Sequence, residues 1–136
     1  MATWDDVRRI ALTLPQTTEE ISFRKPCWKV KGKHFVWERP LGKGDRAALG
    51  ADAPDGAILG VHVGDFDMKE ALLARDAKVY FTIPHFDGYP AVLVRLGRIR
   101  VKELRALVLE AWLARAPAKV ADAYLASLRG TRSKGG

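Results

Sequence analysis

The sequence predicts an α+β domain of two layers, an antiparallel β-sheet packed against helices. Three observations lead there. Helical periodicity opens and closes the chain, and short β-branched and aromatic runs separated by Gly, Pro and Asp turn signals fill most of the middle. At 136 residues and 48% hydrophobic content, the chain is long enough to bury one core without covalent staples.

Thr3 followed by Asp6 is a capping-box variant, and Val7, Ile10, Ala11 and Leu14 then recur on one helical face until Pro15 stops the run, so a helix is predicted over 3–14. From Ile21 the pattern becomes extended. Lys31-Gly32 sits between two strand-like runs as a two-residue hairpin turn. Strict alternation about it puts Trp28, Val30, Lys33, Phe35 and Trp37 on one face and Cys27, Lys29, His34, Val36 and Glu38 on the other. A one-residue slip would exchange the faces.

Residues 41–56, with four glycines and Pro54, lack a sustained period and read as a loop carrying Lys43 and Arg46. A strand follows over 57–63, with Leu59, Val61 and Val63 on one face and Ile58 and His62 on the other. Asp65 is placed to cap a second helix reaching about Arg75, whose apolar stripe is Met68, Ala71 and Leu72. The stretch 79–96 reads as two strands joined by a turn marked by Pro84, Asp87-Gly88 and Pro90; its near-continuous apolar character places the pair centrally in the sheet, covered on both faces. Two helices end the chain. The first carries Leu104, Leu107, Val108, Ala111 and Trp112, and the second, after Pro117, carries Ala121, Tyr124, Leu125 and Leu128. Gly130 suits the cap of the last helix, leaving a single domain over 1–128 and a flexible basic tail over 129–136.

The formal charge is +7, a field that favours anionic partners such as nucleic acid, phosphorylated ligands or anionic lipid surfaces. A single cysteine, Cys27, makes no internal disulfide, and no apolar run approaches the roughly 20 residues of a membrane helix. A cytoplasmic protein without membrane attachment is expected, with a monomer as the default.

Four stretches taken together carry a family likeness: WDDVRRIA at 4–11, HFVWERPL at 34–41, FTIPHFDGYPAVLV at 81–94 and AWLARAPAK at 111–119. The chain resembles the bacterial MmcQ/YjbR-like family over nearly its whole length and in the same order. The resemblance implies a CyaY-like fold with an antiparallel sheet, and a suggested role in binding DNA through two β wings. It supplies no established catalytic residues.

The residues themselves offer a parallel set of candidates. Lys29, Lys31 and Lys33 cluster about the hairpin tip, with Arg24, Lys25, Arg39, Lys43 and Arg46 near in sequence. Such cations neutralise phosphates and release counterions, which would give weak sequence preference and strong salt dependence; lysines on strand edges also serve simply to block aggregation. A second candidate is a small-molecule or anion pocket at the central turn, made from His85, Tyr89 and Arg95. Against it stand turn chemistry for 85–89 and a strand-end position for Arg95. A plain interaction module for an acidic protein is the third. Cys27, His34 and His62 have no metal-ligand spacing, so neither a metal nor a cofactor is expected, and catalysis is not.

Overall fold

The computed structural model describes residues 1–54 and 56–135, with side chains through Arg129. Six strands form one antiparallel sheet in the order β1-β2-β3-β4-β6-β5: β1 Thr17–Ser22, β2 Lys25–Val30, β3 Lys33–Glu38, β4 Ile58–His62, β5 Tyr80–Phe81 and β6 Ala91–Arg95. Five helices complete the α+β architecture: α1 Trp4–Leu12, α2 Lys43–Leu49, α3 Phe66–Arg75, α4 Val101–Arg115 and α5 Ala118–Gly135.

The α1 start is the predicted capping box: Thr3 Oγ1 accepts from the Asp6 amide at 3.3 Å, and the Asp6 carboxylate accepts the Thr3 amide at 2.9 Å. Its buried face, Val7, Ile10 and Ala11, lies with Leu104, Leu107, Val108 and Trp112 of α4 on the first face of the sheet, where Trp28, Val36, Leu59, Val61, Val92 and Val94 meet them. The second face has its own smaller core, Ile58, Phe81, Ile83, Phe86, Ala91 and Leu93, with Trp37, Leu41, Leu49 and Tyr89 against it. Two covered faces explain why β4 and β6 are apolar at nearly every position.

Several expectations are corrected. β1 extends the sheet beyond the predicted hairpin; its TTEEIS sequence alternates half-buried with exposed positions only at the start, as suits an edge strand. Inside the hairpin, Trp28 pairs with Val36 but Lys29 pairs with His34, so Phe35 is an extra residue, a β-bulge. Beyond it the sides change: Phe35 and Val36 both enter the first-face core, and Trp37 moves to the second face beside Cys27 and His34. The 41–56 loop contains α2, begun where the Asp45 carboxylate accepts the Gly42 amide at 3.0 Å and continued by Ala47, Ala48 and Leu49. In α3 the inward residues are Lys69 and Leu72, while Met68 and Ala71 are exposed. Of the strand pair at 79–96, β6 is interior, but β5 is a two-residue edge because Pro84 cuts the run into a 3-10 turn. The α5 backbone continues past Gly130; a helical glycine costs about 1 kcal/mol, which does not forbid it. From residue 130 on, the predicted tail at 129–136 lies outside the residues whose side chains are described.

Candidate ligand-binding site

The bulge and the 84–90 turn together build a cavity on the second face. Having crossed sides, Trp37 lies over Gly60 of β4; a Cβ at Gly60 would come within 2.7 Å of the Trp37 indole, so the glycine is what lets the ring lie flat on the strand. His34 meets Trp37 edge-on at 4.6 Å between centroids, and Phe86 meets it at 6.3 Å. Tyr89 stands between two imidazoles, its hydroxyl 3.4 Å from His34 Nε2 and its ring edge-on to His62 at 5.8 Å. The turn that presents Phe86 and Tyr89 is held from beneath by Lys69, whose buried Nζ donates to the Phe86 carbonyl at 2.6 Å and the Tyr89 carbonyl at 2.8 Å.

His34, Trp37, Phe86 and Tyr89 wall a cavity of about 530 Å³ together with Phe23, Lys25, Cys27, Glu38, Arg39 and His85. The size and the mixture of rings with a few polar groups suit a small organic ligand. Two cations bound it. Lys25 is 3.6 Å from the Glu38 carboxylate, and Arg39 is 3.3 Å from that of Asp45 with its guanidinium 5.7 Å above the Phe86 ring.

Burial shifts the titration of three groups at or next to this cavity. Burial raises the Cys27 thiol, which keeps it protonated near neutrality, and thiols act as nucleophiles through the thiolate. Burial, then Arg115 and Lys29, lowers His34; burial, then Arg115 and His34, lowers His62 to about 4. Both imidazoles are therefore neutral at pH 7. Among the described residues no cluster of three or more His, Cys, Asp or Glu side chains has the geometry of a metal site.

The remaining candidates are dispersed. Arg95 lies away from His85 and Tyr89: it donates to the Ala77 carbonyl at 3.0 Å and the Asp52 carbonyl at 3.2 Å, and stacks 4.5 Å above Phe81. Those contacts match the strand-end account of its charge. Arg24 tops the β1–β2 turn, whereas Lys31 and Lys33 lie at the β2–β3 turn, at the opposite end of a six-residue strand, or roughly 20 Å away. Lys29 is tied to Glu20 at 3.4 Å, and Arg46 donates to the Pro54 carbonyl at 3.4 Å. Arg24, Lys31, Lys33 and Lys43 are exposed and have no ion-pair partner among the described residues.

Of the cavity's members, His85 and Tyr89 are legible from the sequence as pocket candidates, and Lys25 and Arg39 as cations. Cys27 and His34 share the face that alternation about the hairpin gives them, whereas Trp37 reaches the wall through the bulge and Phe23 through the β1–β2 turn, neither of which local pattern reveals. A larger depression of about 1,100 Å³ runs between α3 and α4, and three of its polar groups bind one another: Glu103 accepts from Tyr80 Oη at 2.8 Å and lies 3.5 Å from Arg75.

Comparison with known proteins gives a consistent picture. The family model described as YjbR matches residues 12–114. Uncharacterized protein Rv2570 of Mycobacterium tuberculosis and uncharacterized protein Mb2600 of Mycobacterium bovis are each 52% identical over 130 residues, covering 93% of this chain and 98% of the relative. The crystal structure of Deinococcus radiodurans protein DR2400, with its DUF419 domain, superposes with a TM-score of 0.62 at 21% identity, covering 83% of this chain and 78% of that one, a likeness of fold.

Proposed function

The chain belongs to the YjbR family, and from that premise we propose that it is a non-catalytic binding protein that takes a small organic anion into the second-face cavity. The observation that carries the reading is convergence: the β2–β3 hairpin and the 84–90 turn, distant in sequence, wall one cavity of about 530 Å³ with aromatic rings and set Lys25 and Arg39 beside it. Every lining residue, from Ser22 to Tyr89, falls inside the span matched by the family model. Rings supply area and a cation supplies direction, the usual division of labour in such sites. No helix among the described residues is long and apolar enough to cross a membrane, and Cys27 is a buried free thiol; a monomer in the reducing cytoplasm fits this reading.

A thermal-shift panel of carboxylated, sulfonated and phosphorylated small molecules tests it. A ligand at a hundred times its Kd stabilises the fold by about 2.7 kcal/mol, a rise in melting temperature on the order of 10 °C. Arg39→Ala should weaken the response. If no member of a broad panel moves the transition, the cavity is not a ligand site.

A second reading, DNA binding through the hairpins, draws support from one observation: Lys31 and Lys33 stand exposed at the β2–β3 tip with no ion-pair partner among the described residues. It predicts duplex binding that falls steeply with salt and weakens when Lys29, Lys31 and Lys33 are changed together to Ala. Absence of binding at low salt, or indifference to the triple change, removes it.

A further inference from the structure

The β1–β2 turn has an unusual composition for its backbone. Ser22 pairs with Lys25, leaving Phe23 and Arg24 as a two-residue loop, and both have positive φ, 50° and 66°. Such turns favour Asn-Gly because a side chain bearing a Cβ is strained there, most of all a bulky one. At the next turn the chain follows that rule in part, with Gly32 at φ 82° after Lys31. At the first turn it places a phenylalanine. Phe23 is 98% exposed, so this ring contributes nothing to the core and is not there to stabilise the fold. Ile21, exposed at 71%, precedes it on the edge strand.

Strain and exposed aromatic area coincide at one location, the cavity wall. Phe23 lines the cavity alongside Lys25, together with the rings contributed by β3 and the 84–90 turn. A backbone outlier that persists without serving the core marks a functional constraint.

We infer that the ligand of this cavity is a flat aromatic ring bearing an acid group, and that Phe23 is its outer wall, stacking on the ring while Lys25 and Arg39 face the acid. This rests on the cavity being a ligand site. A puckered aliphatic acid offers the cations the same charge but no face for Phe23, so the inference requires discrimination between rings of equal charge.

Titration calorimetry with benzoate, 1-naphthoate and cyclohexanecarboxylate, against the wild type, Phe23→Asn and Phe23→Trp, tests this. Asn tolerates positive φ, so Phe23→Asn should melt no lower than the wild type, which separates a binding defect from a folding one. The expected result is that the flat acids bind the wild type more tightly than cyclohexanecarboxylate. Phe23→Asn should lose roughly tenfold in affinity for 1-naphthoate, and Phe23→Trp should retain it. If flat and puckered acids bind alike, or Phe23→Asn keeps full affinity, Phe23 is not the outer wall, although the cavity still binds anions. If none of the three acids binds while another anion raises the melting temperature, the ligand class is wrong and the cavity reading stands. If no anion binds at all, both fall together.

Discussion

Lys69 is the residue on which the cavity's shape turns. It is 7% exposed, and its Nζ donates to two backbone carbonyls of the turn that carries Phe86 and Tyr89. Each carbonyl also accepts one backbone amide, Phe86 from Tyr89 at 3.0 Å and Tyr89 from Ala91 at 2.8 Å, so the buried ammonium takes a second lone pair on each and ties the turn to α3. Lys69→Met keeps the stem's volume and removes both bonds. It should cost on the order of 2 kcal/mol in urea unfolding and should also weaken anion binding, because the ring wall loses its anchor. Unchanged stability would show that the turn holds itself. Nothing in the sequence distinguished this lysine from its solvated neighbours: MKEALLAR has the composition of a surface helix, and the periodicity pointed to Met68 and Ala71 as the inward stripe. What decided otherwise was a pair of acceptors 17 and 20 residues away. The capping residues Thr3 and Asp65 were legible because their partners lie three residues on.

Elements whose signals are local were read well, and those that depend on a neighbour were not. The Lys31-Gly32 turn, the two helix starts and the Pro117 break are each encoded within a few residues. Strand β1 was hidden because an edge strand with polar residues has little apolar alternation to detect, and α2 because four glycines and a proline outweighed a short alanine-rich run. Turn chemistry gives a prediction at this scale. Lys31 has φ 50°, a value that Asn accepts more readily, and it is exposed at the tip. Lys31→Asn should therefore stabilise the protein by about 0.5–1 kcal/mol, read as a higher melting temperature. The same change removes one of the two tip lysines that have no ion-pair partner among the described residues, so it should weaken duplex binding if the hairpin meets DNA.

Across the whole molecule, stability and charge are linked through the end of the sheet where β4 finishes. His62 is 8% exposed, its pKa is lowered to about 4, and Arg115, His34 and the Tyr89 ring lie close by. Its folded pKa is below the unfolded value near 6.5, so protonation favours the unfolded chain. The stabilisation is complete above about pH 6.5 and is lost as the pH falls towards 4, a swing on the order of 3 kcal/mol, and His34 is shifted in the same direction. Urea unfolding at pH 7.5 and pH 4.5 should show this loss, with His62→Gln losing clearly less between the two. Equal losses would place the acid sensitivity elsewhere. The α+β architecture with its antiparallel sheet and the family likeness were legible in advance, because they follow from pattern and order. The split of basic residues between the two ends of β2 was not, since it depends on three strands running back and forth. One extra residue also has a reach beyond its own strand. Phe35 acts on β3 as a frameshift acts on a message: everything downstream is read on the other side, and the tryptophan that would have been core becomes lining. In any relative aligned to this chain, an unbroken match through position 35 preserves the cavity, whereas a gap there would leave the surrounding residues similar and the binding surface turned inside out.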